Sequence, residues 1–316
     1  MRAPTGEQFE LAISHGKQQS RTIVTEVAAG IRALSVNGVE LVETFPASVV
    51  PPFGSGTVLV PWPNRIKDGL WLLDGEPQQL ALTEPALHNA LHGLLVSSPY
   101  RVTEQSQESI TLVAPVYPQH GYPFQLHTTV RYDLLDDGLR VTHGFRNVGE
   151  GRAPVAVGTH PFFKIGGVPT EDLVLTLSAA TRFETDARLN PTGEVPVDGT
   201  AYDLRGGRRV GDLSVDDAFG AVTVVDGVTR HRLTAPDGRF VEMWQDEGFG
   251  FVQVFTTREF PKAAGVGLAI AIEPMTAPPN AFNTGQGLHW LEPDESWSVT
   301  WGIRYSGAVD GQETQA

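Results

Sequence analysis

The sequence predicts an all-β fold in which large antiparallel sheets pack as a sandwich. Three observations carry that expectation: runs of strand length with alternating apolar residues recur along the chain, Asn-Gly and Asp-Gly pairs separate several of them, and helical periodicity is nearly absent. With 34 Gly and 23 Pro spread over 316 residues, no helix longer than about three turns is expected.

The elements follow in chain order. Asn37-Gly38 separates IRALSV from VELVETF, and Asp74-Gly75 follows LWLL; each pair supplies the positive φ angles of a two-residue hairpin turn. ITLVAPV at 110–116 is the next strand, and Asp137-Gly138 then joins TTVRYDLL to LRVTHGFR. LVLTL at 173–177 and AVTVV at 221–225 read as strands, and Asp237-Gly238 joins HRLTA to RFVEMW. Three runs close the pattern: FGFVQVFTT at 249–257, LAIAIE at 268–273 and WSVTWGIRY at 297–305. No repeat, low-complexity stretch or Ser/Pro-rich linker divides 1–316, so one domain is expected, with its core over 9–306. Residues 1–8 and the polar tail after Tyr305 carry no hydrophobic pattern and are expected to fray.

Composition removes several function classes. A formal charge of -14 disfavours a phosphate-backbone partner, because nucleic-acid binding relies on clustered Lys and Arg. The absence of cysteine removes disulfides, thiolate metal sites and thiol nucleophiles together, and fits a reducing compartment. No window approaches the roughly 20 apolar residues of a spanning helix, and the first residues lack a signal-peptide stretch. A cytoplasmic protein with neither nucleic-acid nor membrane partners is therefore expected. There is also no phosphate-binding Gly loop, HExxH zinc motif or G-x-S-x-G nucleophile elbow.

Histidines, carboxylates and one arginine remain to carry chemistry. GTVLVPWPNRI at 56–66 leads a strand into a Pro-Trp-Pro loop that stiffens the backbone before Asn64 and Arg65; alone, Arg65 reads equally well as a surface cation. LHNALHGL at 87–94 holds His88 and His92 four apart, a metal-ligand spacing only on a helix, and the alternatives are a loop histidine or a substrate-facing His92. VAVGTHPFF at 155–163 ends a buried-looking strand at His160, suited to proton transfer by its near-neutral pKa or else a bonded core residue. LAIAIEPMTAPPN at 268–280 runs an apolar strand into Glu273, a costly place for a carboxylate unless it is solvated, paired or catalytic. SVDDAF at 214–219 sets Asp216 beside Asp217 before an apolar strand. Neighbours on extended chain face opposite ways, so at most one of the two enters any given pocket, and alone the pair reads as solvated loop acids. Trp62, Trp244 and Phe162 are candidate platforms for a sugar face or simply core.

Taken in order, PWPNRI, LHGL, GTHPFF, DDAF, FVQVFTT and IEPMTAPPNAF resemble the aldose 1-epimerase, or galactose mutarotase, family over residues 20–305. The resemblance implies a large antiparallel β-supersandwich with a cleft for a hexose. It implies further that Glu273 is the catalytic base and His160 the acid, with Arg65, His92 and Asp216 holding sugar hydroxyls. Asn64, beside Arg65, and Trp244 are further substrate-binding candidates. In that chemistry an ionised Glu273 and a charged His160 open the pyranose and close it on the other face, with no metal and no cofactor. The expected partner is a small sugar, met by a monomer or homodimer. Two rivals share the fold: a hexose-6-phosphate 1-epimerase, for which Arg205, Arg208 and Arg209 would have to supply cations, and a non-catalytic carbohydrate-binding protein. GTHPFF has Gly158-Thr159 where galactose mutarotases often carry an asparagine before the histidine, so the sugar is left open.

Overall fold

The computed structural model describes residues 3–16 and 18–307. Two large antiparallel sheets carry them. The first orders nine strands as Arg101–Gln105, Ser109–Val116, Leu126–Leu135, Gly138–Asn147, Ser296–Ser306, Phe240–Asp246, Val228–Thr234, Val174–Thr176 and Arg208–Arg209. The second orders Pro191–Pro196, Ala179–Thr185, Asp216–Val222, Phe251–Lys262, Gly265–Met275, Gly158–Thr159 and Val58–Leu59, with Phe162–Phe163 also paired to Gly265–Met275. A four-stranded sheet, Gln8–His15 to Val39–Glu40, closes one side. The single α-helical turn among the described residues is Ala281–Thr284. This is the all-β architecture that the alternating runs predict.

Three of the four pairs named above fall in hairpin turns, between Ile31–Val36 and Val39–Glu40, Leu70–Leu73 and Glu76–Gln79, and Val228–Thr234 and Phe240–Asp246. In the fourth the turn lies one residue earlier, at Asp136-Asp137, and Gly138 opens the strand Gly138–Asn147 opposite Leu135 without a positive φ. One strand sits elsewhere than expected. It covers Asp216–Val222 rather than 221–225, and Val224 and Val225 are exposed beyond its end. The cause is a continuous ladder from Asp216↔Phe255 to Phe219↔Val252, which captures the acidic residues into the sheet. The N-terminal fraying expected for 1–8 also fails over 3–8. Thr5 is buried, the Glu7 amide donates to Glu26 at 2.8 Å, and pairing begins at Gln8↔Thr25. Residues 1, 2 and 308–316 lie outside the described residues.

One hydrophobic core runs from Phe9 to Tyr305 and includes Val252, Val254, Ile270 and Ile272. Full burial of each such side chain stabilises by roughly 1.5–3 kcal/mol, so the register of the two central strands is strongly held. Alternation then sends Gln253, Phe255, Ala271 and Glu273 to the opposite face of the second sheet. A slip of one residue would drive Glu273 into the core, and the pairing Gln253↔Glu273 fixes where the carboxyl stands.

Candidate active site

Glu273 and His160 meet on that second face. His160 follows the short strand Gly158–Thr159, and its backbone is held from both sides: its amide donates to Thr57 O at 3.1 Å and its carbonyl accepts from Gly56 N at 2.7 Å. Its Nε2 lies 3.4 Å from Glu273 Oε1, and the two residues are 5% and 1% exposed. They stand side by side on that face.

His92 packs edge-on against His160 with ring centroids 5.5 Å apart. It ends the pairing of Asn89–Leu91 with Arg65–Lys67 and adopts left-handed backbone, φ +64, while its amide donates to Asn64 O at 2.8 Å. Gly93 must follow, because a Cβ there would lie 2.2 Å from Val60 O. Asn64 is also left-handed, φ +54, and its Oδ1 accepts from the Arg65 amide at 2.8 Å. The Arg65 guanidinium is gripped by Glu84 through Nε at 2.9 Å and Nη2 at 3.0 Å, and Nη2 lies 3.7 Å from Asp216 Oδ2.

The strand position of Asp216 separates the two adjacent acids. Asp216 shares the face of Phe255 and accepts from Gln253 Nε2 at 2.6 Å, whereas Asp217 turns to Arg182 at 2.8 Å. His88 is set apart from His92: it is exposed and pairs with Asp68 at 3.0 Å, on loop rather than helix.

Burial governs the charges. It pushes His160 down to about 4, and the Arg65 charge also lowers it. Burial and the Asp216 carboxylate push Glu273 well above the usual carboxylate range against the pull of Arg65. His92 falls well below its ordinary value through burial, His160 and Arg65, and Asp216 rises through burial against Arg65 and the Gln253 hydrogen bond. Both shifts in the central pair favour a carboxylic acid facing a neutral imidazole over the expected ion pair. The two forms hold the same single proton, so the pair exchanges them without taking a proton from solvent. Glu273 Oε2, Gln253 Oε1 and the Nδ1 atoms of His92 and His160 are buried with no hydrogen-bond partner among the described residues. Unpaired buried polar atoms on neighbouring side chains are candidates for binding hydroxyl groups.

Trp244 is a correction. It stands in Phe240–Asp246 of the nine-stranded sheet, and its neighbours Val241 and Met243 point into the core, so it faces outward, over Gly302. Trp62 is core, edge-on to Phe282 at 5.3 Å, while Phe162 stacks on His160 at 5.2 Å. Arg205 and Arg209 are engaged by Asp198, Asp203 and Asp172. Glu84 and Gln253 are the residues that sequence reasoning missed. Gln253 left a trace as the one amide in the apolar run FVQVF; Glu84 left none, since only the folded loop brings it to Arg65.

The aldose 1-epimerase family model matches residues 11–304. A protein of Escherichia coli K12 designated "Uncharacterized protein YihR" is 32% identical over 273 residues, 86% of this chain and 85% of that one. Two solved structures share the fold. The GalM/aldose epimerase homologue from C. elegans has a TM-score of 0.82 at 17% identity, covering 96% of this chain and 100% of that one. Galactose 1-epimerase from Lactobacillus acidophilus NCFM has a TM-score of 0.77 at 19% identity, covering 97% and 96%. The span of the family match and the identity to the E. coli protein place this chain in the aldose 1-epimerase family.

Proposed function

We propose that the chain interconverts the α and β anomers of a free aldohexose such as galactose or glucose, with Glu273 and His160 as its catalytic residues. The 3.4 Å contact of a buried carboxyl with a buried imidazole carries the reading. The anomeric hydroxyl oxygen and the ring oxygen are bonded to the same sugar carbon, so two adjacent protein groups reach both at once.

Glu273 removes the proton of the anomeric hydroxyl while His160 protonates the ring oxygen. The bond from C1 to the ring oxygen breaks, and the open-chain aldehyde forms. Rotation about C1–C2 presents the other carbonyl face, and closure with the two roles exchanged restores both groups. The resting neutral pair reaches its working form when its proton passes from carboxyl to imidazole as sugar hydroxyls meet it. Protons and electrons balance within the cycle, so no cofactor is consumed. Arg65, His92, Asp216 and the free Oε1 of Gln253 orient ring hydroxyls, and Asn64 holds the Arg65 backbone. Glu84 and Asp216 face one guanidinium whose charge Glu273 also feels, which favours a neutral sugar over its 6-phosphate. The same reading has one domain acting in the cytoplasm on a small sugar, as a monomer or homodimer.

The test is the decay of optical rotation in freshly dissolved α-glucose or α-galactose. Wild-type protein is expected to accelerate it, and Glu273→Gln to lower kcat by about 10²–10⁴-fold. A Glu273→Gln rate equal to wild type removes the base assignment, and sugar binding without acceleration favours the non-catalytic reading.

A further inference from the structure

The loop at 51–57 grips His160 by backbone, as described above, and is clamped in turn. Gly56 sits so close to Ile31 that a Cβ would come 2.0 Å from its carbonyl oxygen, and the Ile31 amide donates to Gly56 O at 3.0 Å. At its apex the loop holds Phe53 in left-handed backbone, φ +51, with 42% of the residue exposed. A bulky residue rarely takes that conformation, and such strain persists where surroundings enforce it, often at ligand contacts.

Phe53 completes an aromatic wall. Its ring centroid lies 6.4 Å from Phe162, 6.0 Å from Phe255 and 6.1 Å from Phe260. Phe255 and Ala271 form the row of the sheet next to Gln253 and Glu273 on the same face, and Phe255 meets the His160 ring edge-on at 6.3 Å. The surroundings of the His160–Glu273 pair therefore divide into two unlike flanks: Arg65, Asn64, His92 and Asp216 on one, phenylalanines on the other.

We infer that Phe53, backed by Phe255, is a specificity-determining residue that reads the substituent at C5 of the sugar. The inference rests on the proposed epimerase reading. With Glu273 at the anomeric hydroxyl and His160 at the ring oxygen, C5 is the ring atom beyond His160, and its substituent meets the aromatic flank. A methyl group there gains ring contact, a hydroxymethyl group loses water without gaining a partner, and a charged group is desolvated among phenylalanines. The favoured substrate class is a neutral 6-deoxyhexose, ahead of the parent hexose, with the hexose 6-phosphate excluded.

Anomer exchange is measured by magnetisation-transfer NMR on four sugars of one ring configuration: a pentose lacking C6, the 6-deoxyhexose, the hexose and its 6-phosphate. For wild type, kcat/KM for the 6-deoxyhexose is expected to exceed that for the hexose by roughly tenfold, the scale of one group in an apolar pocket. The 6-phosphate is expected to show no acceleration. In Phe53→Asn, a residue that tolerates left-handed backbone, the ratio of 6-deoxyhexose to pentose kcat/KM should fall about tenfold. The inference is overturned if wild type takes the hexose and its 6-phosphate as readily as the 6-deoxyhexose. It is equally overturned if the ratio is unchanged in a Phe53→Asn protein whose pentose rate shows it folded. No acceleration on any of the four sugars defeats the epimerase reading itself, and this inference with it.

Discussion

His143 and His160 are both buried imidazoles, and their surroundings differ in kind. His143 lies in the nine-stranded sheet, where its Nε2 accepts from the Trp301 indole at 3.1 Å and lies 3.4 Å from the Thr159 hydroxyl. His231, in the same sheet, accepts from the Ser178 amide at 3.1 Å. Burial alone takes both down to about 3. His160 is as deeply enclosed, yet it faces the Glu273 carboxyl, the edge of His92 and the charge of Arg65. Burial therefore does not distinguish the histidine proposed as the acid. A neighbour that prefers the opposite protonation state does, because it gives the proton somewhere to go.

Paired substitutions sharpen the contrast. Glu273→Gln, which costs the largest factor in kcat, is expected to hold or raise the thermal midpoint, since a neutral amide replaces a desolvated carboxyl. A midpoint that falls as far as that of a core truncation would make Glu273 a structural residue and erase the difference between the regions. His143→Ala should behave the other way. It leaves a cavity and an unpaired Trp301 donor, costing roughly 2–4 kcal/mol in denaturant unfolding, while kcat of the folded fraction stays within about threefold.

The pH dependence of stability divides the two regions again. The native values of His143 and His231 are depressed to about 3, while the unfolded chain titrates near 6.5. Below that value the unfolded state binds more protons, so stability is lost as pH falls from about 6.5 toward 3. At pH 5 each core imidazole costs about 2 kcal/mol relative to neutral pH. His160 acts with the same sign, but Glu273 is raised and acts with the opposite sign from its unfolded value near 4.5 upward. The acid loss should therefore shrink by about 2 kcal/mol in His231→Gln. It should change far less in a Glu273→Gln, His160→Gln double variant, compared by urea unfolding at pH 7 and 5.

The sequence made the frame of this contrast legible and hid its details. Hairpins announced themselves because Asn-Gly and Asp-Gly favour a backbone few other pairs adopt, and Glu273 stood out as a carboxylate closing the apolar run LAIAI. Asp216 was placed before a strand rather than in one, because DDAF lacks the β-branched residues of the following AVTVV. Ladder pairing outweighed that local preference. Trp244 looked like a platform, but its orientation depends on the phase of Phe240–Asp246 against the core, which composition does not carry. Phe53 and Glu84 were invisible for a different reason: each acts through a loop whose path is set by distant contacts, Gly56 on Ile31 in one case and Asn89 on Arg188 in the other.

Glu84 gives the finest test, on the polar flank of the pair. It takes Arg65 Nε and Nη2 in a bidentate pair, and its Oε2 also accepts from Asn89 Nδ2 at 3.1 Å. The fork is thus fixed in plane, with Nη2 near Asp216 and Nη1 left for a sugar hydroxyl. Glu84→Gln keeps the shape, weakens the pair and frees the guanidinium to swing. KM is expected to rise about tenfold, equivalent to about 1.4 kcal/mol, with kcat little altered, because sugar orientation suffers and the proton-transfer pair does not. In an Arg65→Met background the same substitution should change KM no further, which separates positioning through Arg65 from a general effect on the loop. A full tenfold rise in that background would mean that Glu84 acts on the sugar or the fold by itself, and the polar flank would then owe its order to something other than the guanidinium.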